Sequence, residues 1–182
     1  MSYTVEHKQK FENLQLQITN QDQLKKQANG GNSILFSYPP NEEYLYLNKA
    51  DEIYKEQAEF IDVSKLLVTF IDEFGWDDFK DYYSDFQDTP HKIFKSDGAD
   101  VDLFDMIIGE IESVCQKNKL PFLVRTGCLY GTGIENVNIM EHKTVMNLSH
   151  PLIIFYPSRI EDDNLHFLNF KLASQYRGIL VK

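Results

Sequence analysis

The chain has 182 residues, a formal net charge of −10, 42% hydrophobic and 13% aromatic residues. This composition excludes general disorder and disfavours nucleic-acid binding by the free chain, because such affinity comes mainly from Lys and Arg neutralising phosphates. No apolar stretch is long enough to cross a bilayer and the polar start carries no signal-peptide core, so a cytoplasmic protein is expected.

From Glu6 to Ala28 the chain is polar and Gln-rich, with Phe11, Leu14, Ile18, Leu24 and Ala28 forming a narrow helical stripe. Asn29-Gly30-Gly31-Asn32 tolerates left-handed geometry and ends this helix. The run Ile34 to Tyr38 closed by Pro39-Pro40 reads as a buried strand leaving a sheet, since proline supplies no N–H and holds its predecessor extended. Asn41 is placed to cap a helix over Tyr44, Leu47, Ala50 and Tyr54. Phe60 to Val63 is a short strand, and Ser64 is placed to cap a helix ending at Gly75. Trp76 to Phe86 continues as an aromatic and acidic helix with Trp76, Phe79, Tyr82, Tyr83 and Phe86 on one broad face; Thr89-Pro90 breaks it. Ser96-Asp97-Gly98 is a turn, and Asp100 is placed to cap an amphipathic helix carrying Val101, Phe104, Ile108, Ile111 and Cys115. Leu120 to Thr126 is the third strand, Gly127 to Gly133 a glycine-bearing loop, and Val137 to Leu148 a helix. The fourth strand, Leu152 to Tyr156, ends at a second Tyr-Pro pair. Leu165 to Phe170 and Gly178 to Val181 are final short strands.

Helices separate the first four strands, which requires crossovers and a mainly parallel sheet. The last two strands are too close for a crossover and predict an antiparallel edge. The expectation is one three-layer α/β domain over residues 1–182, with a central sheet of about five or six strands flanked by helices and residues 1–29 packed on it as a helical segment.

Thr126-Gly127-Cys128-Leu129-Tyr130-Gly131-Thr132-Gly133 follows a strand where a phosphate loop would sit. A Walker A loop needs Lys and then Ser or Thr after its last glycine; here Ile134 and Glu135 follow, and strand four ends without a magnesium-holding carboxylate. Thr126, Gly127, Tyr130, Gly131 and Gly133 remain a candidate ligand loop at the carboxyl edge of a parallel sheet, where open α/β sheets bind ligands. Residues 72–88 hold seven acids against the single Lys80, a local charge of −6. A solvated helix face explains the acids; the interleaved rings allow a docking surface with Trp76, Phe79 and Tyr82 as anchors and Asp77, Asp78 and Asp81 as steering charges. Asp97, Asp100, Asp102 and Asp105 fail the EF-hand spacing. Cys115 and Cys128 have neither disulfide-framework nor metal spacing and read as reduced thiols. The five histidines form no paired motif. Arg159 and Arg177, in a C-terminal stretch of mildly positive balance, are candidate anion contacts. No catalytic set, metal or cofactor is nominated.

Ser33-Ile34-Leu35-Phe36-Ser37-Tyr38-Pro39-Pro40 resembles the opening strand of the BrxB family. Thr126-Gly127 with Tyr130 is similar to that family's loop after an apolar strand, Pro151 to Arg159 to its Phe-Tyr-Pro strand, and Gln175-Tyr176-Arg177-Gly178-Ile179 to its terminal segment. Ser37 stands where the family usually has Asp, and Gly131 where it has Pro. The resemblance implies a small accessory α/β protein of BREX phage-defence systems, a family with no established enzymatic activity, with a PglZ-type phosphatase-like protein as the expected partner. The alternative is a degenerate P-loop-like domain that binds a nucleotide or nucleic acid without hydrolysis.

Overall fold

The computed structural model describes residues 4–96, 98 and 101–182. The polar N-terminal segment forms two helices, α1 (Val5–Thr19) and α2 (Gln21–Gln27), broken at Asn20. Phe11, Leu14, Leu24 and Ala28 are its buried stripe. Asn29 and Gly30 take positive φ and turn the chain into β1 (Ser33–Tyr38), buried along its length. Pro39 ends β1, and a 3-10 turn over Pro40–Glu42 leads into α3 (Glu43–Tyr54). Asn41 lies inside that turn and does not cap the helix; Glu42 holds the N-cap position. The inward residues of α3 are Tyr46, Ala50 and Tyr54, whereas Tyr44 is 80% exposed. Two residues turn a helix by about 200°, so Tyr44 and Tyr46 cannot share a face.

After β2 (Ala58–Asp62), it is Asp62 rather than Ser64 that caps α4 (Val63–Phe74). Its Oδ1 accepts from the Ser64 and Lys65 N–H groups at 3.0 and 3.3 Å, and a carboxylate also complements the positive end of the helix. Gly75, at φ 79°, ends α4 and opens α5 (Trp76–Phe86). A short α6 (His91–Phe94), absent from the sequence reading, buries Ile93 and Phe94. Asp102 caps α7 (Leu103–Gln116) by accepting from the Asp105 N–H at 2.9 Å; Asp97 and Asp100, the expected turn and cap, lie outside the described residues. Val101 precedes α7 and is 68% exposed, so the inward stripe runs through Leu103, Ile107, Ile111 and Val114.

β3 (Leu120–Val124) is followed by a 3-10 turn at Thr126–Leu129. Two short helices, α8 (Asn136–Met140) and α9 (Lys143–Met146), replace the single expected one. The chain ends in β4 (Leu152–Glu161), β5 (Asn164–Phe167), β6 (Lys171–Ala173) and β7 (Gly178–Val181).

Among the described residues the central sheet has the order β2-β3-β4-β1-β7, every neighbouring pair parallel. The expected antiparallel edge exists, but the far half of β4 builds it with β5 and β6. β7 is not part of it. The segment after β6 returns the chain to the amino edge, where Gly178 pairs with Ser33 and β7 runs parallel to β1. β4 also continues through Pro157 rather than stopping at Tyr156. Pro157 pairs with Tyr38, the last residue of β1, so its missing N–H falls where that ladder ends. Its carbonyl accepts from the Leu168 N–H at 2.8 Å.

Helices cover both faces of the sheet. α1 to α3 pack on Phe36, Tyr38, Phe122 and Phe155. α4 to α9 pack on Leu35, Leu123, Ile154 and Tyr156. This is the three-layer α/β domain that the alternating pattern predicts.

Candidate functional site

The carboxyl ends of β1, β2 and β3 converge on an ionic cluster. Arg125, directly after β3, adopts left-handed backbone geometry at φ 57°. Its Nε lies 3.3 Å from Asp62 Oδ2, and its Nη1 lies 3.9 Å from Glu43 Oε2. Tyr38 Oη donates to Glu43 Oε1 at 2.8 Å. Burial, and then the Glu43 carboxylate, hold the Tyr38 hydroxyl far above the usual phenol range. Burial likewise pushes the Cys128 thiol up to about 11, reinforced by the nearby Asp62. Cys128 is therefore protonated at neutral pH and a poor nucleophile. One guanidinium between two carboxylates ties three strand ends together. Sequence reasoning missed Glu43 and Asp62 here and ran the third strand through Arg125 to Thr126, whereas β3 ends at Val124; the usable signals were the Tyr38-Pro39 exit and a charged arginine closing an apolar run.

The loop of residues 126–133 lies beside this cluster. Thr126 is buried and its Oγ1 donates to the Phe155 carbonyl at 2.7 Å, fixing the loop to β4. The amides of Cys128, Tyr130 and Thr132 donate to the carbonyls of Arg125, Gly127 and Leu129 at 3.3, 3.2 and 3.1 Å. The Ile134 amide donates to Thr132 Oγ1 at 3.1 Å. An anion cradle needs a run of N–H groups aimed outward, and these four are directed into the loop itself. A Cβ on Gly127 would meet Leu168 and Pro157 at ordinary contact distance. Gly131 and Gly133 take φ of 87° and 81°, and a Cβ on Gly133 would sit 2.6 Å from the Cβ of His91. The glycines thus shape the loop, while Thr126 and Tyr130 face a cavity shared with α8, β5 and β6. The space it holds is about 30 Å³, room for one or two waters.

The broad aromatic face expected on α5 is divided. Phe79 is only 6% exposed, with ring centroids 6.3 Å from Phe70 and 6.1 Å from Phe94. Tyr82 is half-buried and stacks on Phe74 at 5.7 Å. Trp76, the first residue of α5, is 65% exposed, and Phe74, Tyr83 and Val68 of the α4–α5 hairpin are exposed as well. Asp77, Asp78 and Asp81 all face solvent; Lys80 lies 3.4 Å from Asp77. Phe79 therefore belongs to the core, and Trp76 with the three aspartates to the surface.

Arg159 and Arg177 do not form one cationic surface. Arg159 lies beyond the carboxyl end of β1 and binds Glu161 at 2.8 Å, two residues on and on the same side of its strand. Arg177 precedes Gly178 at the amino edge, with its Nε 3.5 Å from Glu141 and its guanidinium over Tyr176. At about 3.3 Å per residue, the sheet separates them by roughly 20 Å.

Among the described residues no group of His, Cys, Asp and Glu could hold a metal ion, and no helix is long and apolar enough to cross a membrane. No protein-family model, no curated protein and no solved structure matches the chain.

Proposed function

We propose that this protein is a non-catalytic accessory subunit that docks a basic segment of a protein partner on the acidic, aromatic hairpin of α4 and α5. The observation that carries this reading is the exposure of Trp76, Phe74 and Tyr83 inside a segment whose local charge is −6. Aromatic rings are the side chains that most often anchor interfaces. A rim of one sign speeds association with the opposite sign and selects against like-charged partners, and Lys or Arg side chains gain further from resting on ring faces. The resemblance to BrxB proteins supports a phage-defence assembly as the setting and a PglZ-type protein as the partner to test first.

Trp76 is the single tryptophan of the chain, so its emission reports the docking face directly. Titration with the purified PglZ-type protein, or with a Lys/Arg-rich peptide from it, is expected to shift that emission. Binding should weaken with salt, and charge reversal at Asp77, Asp78 and Asp81 should lower affinity by about tenfold or more. Unchanged emission with the partner present, together with unaltered phage restriction by the charge-reversed protein, overturns the reading.

A further inference from the structure

We propose that the cavity beneath β6 is a binding site for a small, uncharged and mainly apolar molecule of about one ring, admitted when β6 lifts. This is independent of the hairpin, which lies on other elements. The cavity stands at the carboxyl ends of β3 and β4, where open α/β sheets carry ligands. Leu129, Ile134, Ile139, Ile154 and Phe167 form its apolar wall, and Thr126, Glu135 and Lys171 add polar surface of nearly equal extent. Tyr156 and Asn136 bring the polar atoms: Tyr156 Oη donates to Asn136 Oδ1 at 3.2 Å, and Asn136 Nδ2 donates to the Ser174 carbonyl at 2.6 Å. The phenol keeps its lone pairs and the amide one further N–H. A pocket that joins an apolar wall to a few convergent polar groups is the usual form of a small-molecule site.

Charge selects against ions. At the rim, Lys171 Nζ lies 2.8 Å from Glu135 Oε1, so each cancels the other. Burial keeps the Tyr156 hydroxyl protonated far above neutral pH. A charged ligand would lose its hydration and find no unpaired counter-charge.

The cover is weakly held. β6 has three residues and, among the described residues, pairs only with β5. The Lys171–Glu135 pair is surface-exposed, a class that contributes little. Phe170 meets Tyr130 edge to face at 5.3 Å, and Phe170, Leu172 and Tyr130 are all exposed. Tyr130 and Leu172 line the cavity, and Phe170 extends their apolar surface outward. About 30 Å³ is open in the closed state, so a ring enters only by displacing β6.

Thermal melts with phenol, indole and toluene test this, with benzoate and benzylammonium as charged controls. The neutral rings are expected to raise the melting temperature saturably, by about 5–10 °C at a hundredfold excess over Kd; the ions are not. Ala173→Leu and Ile139→Phe fill the cavity and should each abolish the rise while keeping the far-UV spectrum. Glu135→Gln frees the cover and should speed association. The proposal is overturned if no neutral ring stabilises either the wild-type or the Glu135→Gln protein. It is equally overturned if a folded filling variant responds as the wild type does, or if the ions stabilise as well as the rings.

Discussion

Two stretches of this molecule carry the same Tyr-Pro ending and do opposite things with it. Tyr38-Pro39 closes β1, and the chain departs into a 3-10 turn and α3. Tyr156-Pro157 sits inside β4, which runs on to Glu161 and pairs with β5. The strands are neighbours, but Ser37 pairs with Tyr156 and Tyr38 with Pro157. Side chains alternate along a strand, so this one-residue offset sends the two tyrosines to opposite layers. Tyr38 enters the layer of α1 to α3 and donates to a charged carboxylate; Tyr156 enters the layer of α4 to α9 and donates to a neutral amide. A local string places the proline, and the adjoining ladder decides whether the strand stops there.

The largest test of this contrast is truncation. Tyr38→Ala is expected to cost about 3–5 kcal/mol in urea unfolding, and Tyr156→Ala less, because Tyr156 already borders a cavity. A larger loss at Tyr156 would reverse the assignment of the tighter layer. Removing only the hydroxyl sharpens the comparison. Tyr38→Phe should cost about 1.5–3 kcal/mol, since Glu43 loses a donor to its charge, and Tyr156→Phe about 0.5–1.5 kcal/mol. Equal values would indicate that the Glu43 bond is no stronger than a neutral one.

Alkaline pH probes both layers together. The Cys128, Tyr38 and Tyr156 groups all have folded values above their ordinary ones. Their stabilisation is complete below the unfolded value, which for the thiol is 9.0, and is lost as pH rises through the folded value of about 11. Lys10 works the other way: burial lowers its value, so its contribution improves as pH rises. Its Nζ donates to the Ser37 carbonyl at 3.1 Å. The melting temperature is expected to hold to pH 8.5 or so and then fall between about 9 and 11. Cys128→Ala should reduce that fall. At pH 8 the thiol should alkylate about a hundredfold more slowly than one with a value of 9. The smallest expected effect is that of Trp76→Ala, within about 0.5 kcal/mol, because the ring is exposed; a loss above 2 kcal/mol would place Trp76 in the core.

Legibility in the sequence followed the length over which a signal repeats. α5 could be read from Trp76 to Phe86 because Gly75 sets its start and rings recur at helical steps. β1 was legible from its apolar Ile34-Leu35-Phe36 run closed by Tyr38-Pro39. α6 and β6 were not, because four or three residues cannot display a period. The direction of β7 was hidden for another reason: it depends on where Gly178 meets Ser33, a pairing that no local pattern encodes. The site divides the same way. Thr126 and Tyr130 were found through the glycines around them. Asn136, Tyr156 and Phe167, which complete the cavity, come from α8, β4 and β5, three elements that no local pattern links. The Glu43, Asp62 and Arg125 cluster likewise unites the ends of distant segments.

The place of β1 has a consequence for how the chain is made. It is an early strand to leave the ribosome, yet both of its ladder neighbours, β4 and β7, are synthesised far later. Until then six successive residues of an apolar strand lack their native ladder partners on either side, a state prone to mispairing with other nascent chains. Such long-separation pairing also makes folding slow. α1 and α2, translated before β1 and packed on the same side as Phe36 and Tyr38, are the elements available to shelter it while translation finishes.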